Sequence, residues 1–141
     1  MGVEFRKVCN AEDMDAAKSI RLSVFVDEQN VPPEIEMDEY DELATHVLYL
    51  ADDVPVGTGR LVDMPDGMKL GRVAVLSGYR SLGIGTEIVK WLLDRAKTEG
   101  HNRVYANVQI NAREFYETLG FKAEGDLFLE AGIEHVKMVW N

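Results

Sequence analysis

The sequence predicts an α+β fold in which a mixed, mostly antiparallel sheet of about seven strands is flanked by about four helices. Short β-rich apolar runs follow one another across residues 45–76 with only turns between them, as in an antiparallel meander. A stretch with helical spacing of apolar residues then precedes another apolar run, which gives a β-loop-α-β order over residues 69–110. At 141 residues the chain can enclose a single core, so we expect one domain over residues 1–141.

The first part of the chain predicts a strand followed by a helix. Residues 3–8 are a short β-rich run, and Cys9, the single cysteine, is expected to continue it as a small buried filler. Asn10 is a good cap for a helix over residues 11–25. The residues that share one face of that helix are Met14, Ala17, Ile20, Arg21 and Val24.

An acidic stretch separates this helix from the meander. The pair Pro32-Pro33 ends any helix, and six of the nine side chains over residues 34–42 are acidic, which predicts a loop or a short helix. The strands of the meander cover residues 45–51, 54–62 and 69–76. Their turns fall at Asp52-Asp53 and at Pro65-Asp66-Gly67.

The second half of the chain predicts two helices and three strands. An amphipathic helix over residues 83–99 stops at Gly100, and a strand over residues 104–110 follows it. Asn111 is placed to cap a short helix that runs through Leu119 and ends at Gly120. Residues 121–125 and 135–140 supply the last two strands.

Composition narrows the classes of partner. Apolar residues make up 46% and charged residues 28% of the chain, as in a globular protein, and the formal net charge is −10. That charge argues against nucleic acid and favours an amine-bearing partner. No apolar run approaches the roughly 20 residues of a membrane span, and the N-terminus lacks the profile of a signal peptide, so we expect no membrane contact and a cytoplasmic location.

The most informative segment joins the strand ending at Leu76 to the helix that begins near Gly83. Gly83 and Gly85 let the backbone approach a bulky anion, while free N–H groups and the helix dipole supply partial positive charge there. Arg80 adds a guanidinium fork. We therefore expect this helix N-terminus to hold a diphosphate.

Three other interpretations of the glycine turn compete with this one. A Walker loop needs Gly-Lys-Ser/Thr before its helix, but this chain has Gly85-Thr86-Glu87. A dinucleotide-binding fingerprint belongs to a parallel βαβ unit, which the antiparallel meander ahead of the loop disfavours. The remaining alternative is a glycine-rich turn that merely connects a strand to a helix.

The motif Arg80-x-x-Gly83-x-Gly85, after the strand Arg72-Val73-Ala74-Val75, resembles the acetyl-CoA motif of the GNAT family of N-acetyltransferases. The run Asn107-x-Gln109-x-Asn111-Ala112-x-x-Phe115-Tyr116-x-x-Leu119-Gly120-Phe121 is similar to the next strand and helix of that family. Further motifs, Val24-Phe25-Val26-x-Glu28-Gln29 and Glu36-x-Asp38-x-x-Asp41-x-x-x-Thr45-His46, resemble the bacterial YjcF-like subgroup. The resemblance covers almost the whole chain.

The resemblance implies the GNAT fold, with acetyl-CoA as co-substrate, no metal ion, and pantetheine inserted where the strands over residues 70–76 and 104–110 splay apart. The cofactor-binding residues that it implies are Val73, Ala74, Val75, Arg80, Ser81, Leu82, Gly83, Ile84, Gly85, Thr86, Asn107, Asn111 and Tyr116. Among them, the Val75 N–H would polarise the thioester carbonyl, and Val73 would pair its backbone with pantetheine. Asn111 would bond pantetheine or cap its helix.

The implied reaction is direct transfer of an acetyl group to the amine of a small molecule in a ternary complex. Acyl transfer needs a neutral nucleophile and a proton for the departing thiolate. By resemblance, Tyr116 would be the general acid, with a plain core aromatic as the alternative. His135 would be the general base because it matches a Gly-x-x-His ending within the family, with a surface strand histidine as the alternative.

The acceptor is expected to enter over the acidic stretch. The candidate acceptor-binding residues are Glu28, Asp38, Asp41, His46 and Arg60. A charge run is usually a solvated face, and His46 has a structural alternative in which it satisfies a buried carboxylate.

Two further functions stay open at this stage. The pattern of Arg21, Phe25, Asp38, Asp41 and Arg60 also resembles acyl-homoserine lactone synthases, although those enzymes are usually longer, carry a tryptophan near Val31-Pro32 and lack so regular a glycine loop. A non-catalytic module that binds acyl-CoA is the other alternative. A homodimer is an open expectation, with Trp91, Trp140 and the terminal strand as its candidate contact surface.

Overall fold

The computed structural model describes residues 2–141, which form one mixed sheet with helices on both faces. Its strands are β1 (Val3–Lys7), β2 (Thr45–Ala51), β3 (Val54–Met64), β4 (Gly67–Val75), β5 (Val104–Gln109), β6 (Lys122–Glu130) and β7 (Ile133–Trp140). Its helices are α1 (Ala11–Arg21), α2 (Pro33–Glu36), α3 (Ile84–Thr98) and α4 (Arg113–Thr118). The sheet order is β1-β2-β3-β4-β5-β7-β6, and every neighbouring pair is antiparallel except β4 and β5. The predicted fold class and meander are confirmed.

The parallel pair β4 and β5 is short, and this decides where the molecule opens. Only Met68 with Val104 and Lys69 with Tyr105 are paired. From Leu70 onward β4 stays paired with β3 but has no partner in β5. A bulge at Arg72, whose φ is +53°, further bends β4 beside the opening. The predicted splay between these two strands is therefore present.

Two apolar layers pack on the two faces of the sheet. On one face α3 buries residues such as Ile88 and Leu92 against β2 to β5 and β7. On the other face α1 buries Ala17 and Ile20 against Leu48 and Leu50 of β2. The predicted apolar face of α1 is thus the buried one, because apolar residues at helical spacing gain most from burial when they share a face.

Helix α1 begins as predicted and then extends further than predicted. The Asn10 side chain accepts a hydrogen bond of 2.8 Å from the Asp13 N–H, which caps the first turn. After Arg21 the chain continues as a wider, π-helical segment over Leu22–Glu28, beyond the predicted end at residue 25. Among residues 2–141, no helix has both the length and the apolar character needed to cross a bilayer.

Three local predictions are wrong. Cys9 follows β1 and is exposed instead of buried, because the strand ends at Lys7. Asn111 does not cap α4, since a 3-10 turn over Ile110–Ala112 comes first and Ala112 occupies the cap position. Strand β6 continues to Glu130 instead of ending near residue 125. It is an exposed edge strand with a register shift between Glu124 and Phe128, so it lacks the apolar alternation that marks a half-buried strand.

The two tryptophans proposed as contact surface are both half-buried within this chain. The Trp91 ring stacks on Phe5 with the ring centroids 6.5 Å apart. Trp140 lies against Gly120 at the turn after α4. Part of the apolar surface of each ring is therefore already used in packing the monomer.

Candidate active site

The gap between β4 and β5 opens into a cleft of about 930 Å³. Its walls come from β4, β5, the start of α3, the segment between α1 and β2, and the hairpin of β6 and β7. Beyond the point where the two strands separate, the edge of β4 and the edge of β5 that face the gap have no strand partner. Such edges can pair with an extended ligand that carries amide groups.

The backbone alternation of β4 directs one N–H group into this gap. The Leu76 N–H donates to the Val56 carbonyl of β3 at 2.9 Å. Because neighbouring residues of a strand point their backbone groups to opposite sides, the N–H and carbonyl of Val75 face away from β3. The Val75 carbonyl is taken by the Arg80 side chain, which leaves the Val75 N–H at the opening.

The start of α3 presents a row of backbone amides to the same cleft. Gly83 caps the helix with φ +79°, a left-handed conformation that favours glycine, and a Cβ atom added there would meet no atom within 4 Å. The first helical bond runs from the Glu87 N–H to the Gly83 carbonyl at 3.1 Å. Within residues 2–141, the N–H groups from Ser81 to Thr86 donate no hydrogen bond. An anion is the natural partner for such a group of donors.

Most of the residues predicted to bind the cofactor lie in this cleft. Those that line it are Val73, Ala74, Val75, Arg80, Ser81, Gly83, Ile84, Gly85, Thr86, Asn107, Asn111 and Tyr116. The side chain of Leu82 does not line it and is 61% exposed. The Arg80 guanidinium donates to the Val75 carbonyl at 3.0 Å and to the Glu28 carboxylate at 2.9 Å. Arg80 therefore joins the glycine turn to the π-helical segment.

Tyr116 lies on α4 at the inner wall of the cleft. Its ring makes edge-to-face contacts with Phe115 and Phe121, with centroid separations of 5.1 and 5.2 Å. Burial raises the pKa of its hydroxyl, since the charged phenolate would lose its hydration there. The hydroxyl donates no hydrogen bond to any residue from 2 to 141, so it is free to serve a group in the cleft.

His135 lies on β7, also lines the cleft and is 6% exposed. Its Nδ1 lies 2.7 Å from the Ile133 carbonyl oxygen. A carbonyl can only accept, so Nδ1 carries the hydrogen and the neutral ring has its lone pair on Nε2. The Nε2 atom lies 3.5 Å from a carboxylate oxygen of Glu130, and the ring stacks on Phe128 at 5.8 Å.

Glu130 was not singled out from the sequence. It lies at the end of β6, lines the cleft and accepts a hydrogen bond of 3.3 Å from the Asn107 side chain of β5. Three strands thus bring Asn107, Glu130 and His135 together. The Glu-x-x-x-x-His spacing across a Gly132 turn was the available signal, because it is compatible with a tight hairpin that places the two side chains on one face.

A buried cluster of ions forms the third wall of the cleft. It consists of three arginines and three carboxylates: Arg21, Arg60, Arg72, Glu36, Asp38 and Asp41. Arg21 is fully buried and binds Glu36 and Asp41 at 2.7 Å each. Every one of these six groups thus has an oppositely charged neighbour, which buried charges require.

The cluster shifts the pKa of its members in different directions. Burial alone would raise the pKa of Asp38 and Asp41, but hydrogen bonds and charges from the arginines outweigh it and lower both. For Glu36 burial dominates and raises the pKa, although Arg72 and Arg21 oppose it. Burial also lowers the pKa of the Arg72 guanidinium. Asp38 and Asp41 are therefore firmly ionised partners of Arg60.

His46 of β2 belongs to the same cluster. Its Nε2 lies 2.8 Å from the Asp41 carbonyl oxygen, so that nitrogen donates a hydrogen bond. Burial lowers the pKa of the ring, and the nearby arginines lower it further, while the Asp41 carbonyl and carboxylate oppose the shift. Among the residues predicted to bind the acceptor, Asp38 and Arg60 line the cleft, whereas Glu28, Asp41 and His46 do not.

Comparisons with known proteins agree with this geometry. A family model of the acetyltransferase (GNAT) domain matches residues 9–141. The chain is 39% identical over 132 residues to the uncharacterized N-acetyltransferase YjcF of Bacillus subtilis (strain 168), covering 92% of this chain and 94% of that protein. The fold is similar to an acyl-CoA N-acyltransferase from Pseudomonas aeruginosa, with a TM-score of 0.90, 25% identity, and coverage of 99% and 100%. It is also similar to a GNAT acetyltransferase from Elizabethkingia anophelis with acetyl-CoA bound, with a TM-score of 0.74, 13% identity, and coverage of 98% and 97%.

Proposed function

The chain belongs to the GNAT family and is an acetyltransferase, and from this premise we propose that it transfers the acetyl group of acetyl-CoA to the amine of a small molecule. The observation that carries the proposal is the open strand pair. Strands β4 and β5 separate after Lys69 and Tyr105, and the gap leads to the free amides at the start of α3.

Acetyl-CoA fits the residues that surround this gap. The amides from Ser81 to Thr86 have no other partner within residues 2–141 and suit its diphosphate. The space in front of Gly83 lets that group approach the backbone. The unpaired edges of β4 and β5 suit the amides of pantetheine, for which we propose Val73, Asn107 and Asn111 as contacts. When bound, the cofactor supplies an activated thioester carbonyl.

The residues of the chain supply polarisation and proton transfer in this proposal. The Val75 N–H, which faces the gap, donates to the carbonyl oxygen as charge develops on it. His135 Nε2 accepts the proton of the acceptor nitrogen, and Tyr116, whose pKa is raised by burial, keeps its proton until the thiolate leaves. No covalent intermediate on the enzyme is needed.

The acceptor is proposed to enter between the ion cluster and the hairpin of β6 and β7. Asp38 and Arg60 form one side of this entrance, and Asp41, His46 and Glu28 lie behind it or beside it. We further propose a cytoplasmic location, where a free thiol such as that of Cys9 stays reduced.

The experiment is a screen for CoA release from acetyl-CoA with putrescine, spermidine, glycine, lysine, tyramine and n-butylamine, with the products identified by mass spectrometry. We expect an N-acetylated product with at least one amine. Tight binding of acetyl-CoA in calorimetry without turnover of any amine would instead support a module that binds acyl-CoA. Turnover that requires S-adenosylmethionine and a longer acyl donor would support a lactone synthase.

A further inference from the structure

We propose that Glu130, together with Nε2 of His135, forms the subsite that binds the acceptor nitrogen as a primary ammonium ion. This inference rests on the proposed function and adds to it the residue that selects the charge state of the acceptor. The carboxylates of the cleft differ in whether a basic side chain already neutralises them.

Among residues 2–141 three carboxylates line the cleft, and two of them are already neutralised. Glu36 is paired with Arg21 and Arg72, and Asp38 is paired with Arg60 and Arg72 at 2.7 and 3.1 Å. An incoming ammonium ion would have to compete with guanidinium groups for either of them. The acidic stretch over residues 34–42 therefore does not offer a free negative charge to the cleft.

Glu130 has different surroundings. Its partners within residues 2–141 are the uncharged Asn107 amide at 3.3 Å and the His135 ring at 3.5 Å. No arginine or lysine of the described chain lies within ion-pair distance of it. It is the one carboxylate of the cleft lining, over residues 2–141, that lacks a basic side chain other than histidine as its neighbour. Its side chain is 41% exposed, so a ligand can reach it.

The atoms around Glu130 define what kind of donor fits. Asn107 donates to Oε1, which leaves Oε2 toward the ring. The Ile133 carbonyl holds the hydrogen of His135 on Nδ1, so Nε2 presents a lone pair. Two acceptor atoms thus lie 3.5 Å apart without a donor between them. A primary ammonium ion has several N–H donors and one positive charge, and it can bond both atoms at once.

This arrangement also accounts for the proton of the acceptor. One N–H bond of the bound ammonium ion breaks, and the proton passes to the lone pair on Nε2 of His135. The nitrogen keeps the electron pair and becomes a neutral amine, which is the nucleophilic form. The positive charge moves to the imidazole ring, where it remains next to the Glu130 carboxylate. The positive charge therefore stays beside the Glu130 carboxylate before and after the proton transfer.

The kinetic test compares Glu130→Gln with Glu134→Gln, using each amine that the wild-type enzyme acetylates. Glu134 lies in the same hairpin, is exposed and does not line the cleft, so its variant makes the same change in charge outside the subsite. We expect the KM for the amine to rise at least about tenfold in Glu130→Gln, because a charge-assisted hydrogen bond is lost, and to stay unchanged in Glu134→Gln. Glu130→Asp keeps the charge and should recover part of the affinity.

Three results would overturn the proposal. The first is an unchanged KM in Glu130→Gln, and the second is an equal rise in Glu134→Gln. The third is a loss of acetyl-CoA affinity in Glu130→Gln by calorimetry that matches the loss of amine affinity, because this would place Glu130 at the cofactor. Thermal unfolding of each variant shows whether the fold is retained.

A binding experiment keeps this test separate from the proposed function. If the enzyme acetylates none of the amines, the ring signals of His135 are followed by NMR while n-butylammonium chloride is added to the complex with CoA. A shift in the wild type that is lost in Glu130→Gln would support the subsite without any turnover. No shift in the wild type, or an equal shift with N,N,N-trimethylbutylammonium, which has no N–H donor, would overturn it.

Discussion

At the scale of single residues, Tyr116 shows how packing prepares a side chain for proton donation. Phe115 and Phe121 hold its ring at the cleft wall, and burial keeps its hydroxyl protonated by raising its pKa. We predict that Tyr116→Phe lowers turnover by about 10²-fold or more, since a general acid typically contributes that much. The acetyl-CoA affinity should stay near the wild-type value in calorimetry, because the ring is retained.

The control for this prediction is Tyr49→Phe, which removes a hydroxyl from a buried tyrosine that does not line the cleft. Its turnover should remain close to that of the wild type. If Tyr116→Phe also turns over acetyl-CoA at the wild-type rate, Tyr116 is a packing residue only.

His46 gives a prediction about pH and stability. Burial lowers the pKa of its ring in the folded protein below the ordinary histidine value of 6.5. The unfolded chain therefore binds a proton first as the pH falls, and stability that is present above about pH 6.5 is lost below it. We predict that the free energy of unfolding from urea titrations decreases between pH 7.5 and pH 5, by at most about 1.4 kcal/mol per pH unit for this one group.

The matched variants are His46→Gln and His101→Gln. His46→Gln removes the titrating ring while an amide can still donate to the Asp41 carbonyl, so the pH dependence should become shallower. His101 lies outside the ion cluster, and its replacement should leave the slope as it is. An unaltered slope in His46→Gln would assign the acid sensitivity to other groups.

At the scale of elements, the two ends of α3 allow a controlled test of the glycine turn. Gly83 and Gly100 both have positive φ, at +79° and +89°, and a Cβ atom added at either position would have no atom within 4 Å. Replacement by leucine strains both positions by about 1–2 kcal/mol. Only the side chain at position 83 would project into the cleft. We predict that Gly83→Leu weakens acetyl-CoA binding at least about tenfold, as would follow from losing 1.4 kcal/mol, whereas Gly100→Leu does not.

Calorimetric titration measures the affinity for acetyl-CoA. Thermal unfolding measures the loss of stability that the strain at positive φ causes in both variants. Equal affinities in the two variants would mean that the start of α3 does not hold the diphosphate, and the proposed function would lose its main support.

The ion cluster links α1, α2, β3 and β4, and Arg21 is its most buried member. We predict that Arg21→Met lowers the free energy of unfolding by about 3–5 kcal/mol, because Glu36 and Asp41 would keep their buried charges without this partner. Arg95→Met breaks only an exposed pair with Glu99 on α3 and should cost less than about 1 kcal/mol. Denaturant unfolding compares the two, and a similar small cost for both would show that the cluster is tolerant of a missing charge.

The sequence predicted elements best where burial leaves a periodic pattern. Strand β2 was predicted with its observed bounds because it is a continuous apolar run that is buried on both faces, and α3 was predicted within a residue at either end because it buries one continuous face. Strand β6 was predicted too short because an exposed edge has no such pattern. The glycine turn was found because its residues are contiguous. Glu130 was missed because only the register of the hairpin, with Phe128 opposite His135, brings it to the ring.

The acidic stretch shows that the sequence also does not reveal which charged side chains form ion pairs. Its six carboxylates were read as an entrance for a cationic acceptor. Three of these six are instead held by arginines that lie elsewhere in the sequence, at positions 21, 60 and 72. Net charge and local runs cannot reveal such pairing, since it depends on which strands become neighbours. In the structure, the cleft carboxylate without an arginine or lysine partner among residues 2–141 is therefore Glu130, at the end of β6, and not one of the acidic stretch.

At the scale of the whole molecule, the two apolar layers share one sheet, and this predicts a single cooperative unit. Leu48 of β2 is fully buried beneath α1, and Leu92 of α3 is fully buried against the other face of the sheet. We predict that Leu48→Ala and Leu92→Ala each lower the free energy of unfolding by about 2–5 kcal/mol and leave one transition. Trp91 and Trp140 both pack on the α3 side, so their fluorescence reports on that layer.

Leu48→Ala is the sharper of the two tests because Leu48 packs on the face of the sheet opposite to both tryptophans. If the sheet couples the layers, its fluorescence midpoint in urea shifts by the same amount as its circular dichroism midpoint, although the substitution lies on the opposite face. Layers that unfold independently would give a fluorescence midpoint equal to that of the wild type and a second transition in circular dichroism. That result would contradict the prediction that residues 1–141 form one domain. In a single domain, the loss of packing beneath α1 must also destabilise the layer beneath α3.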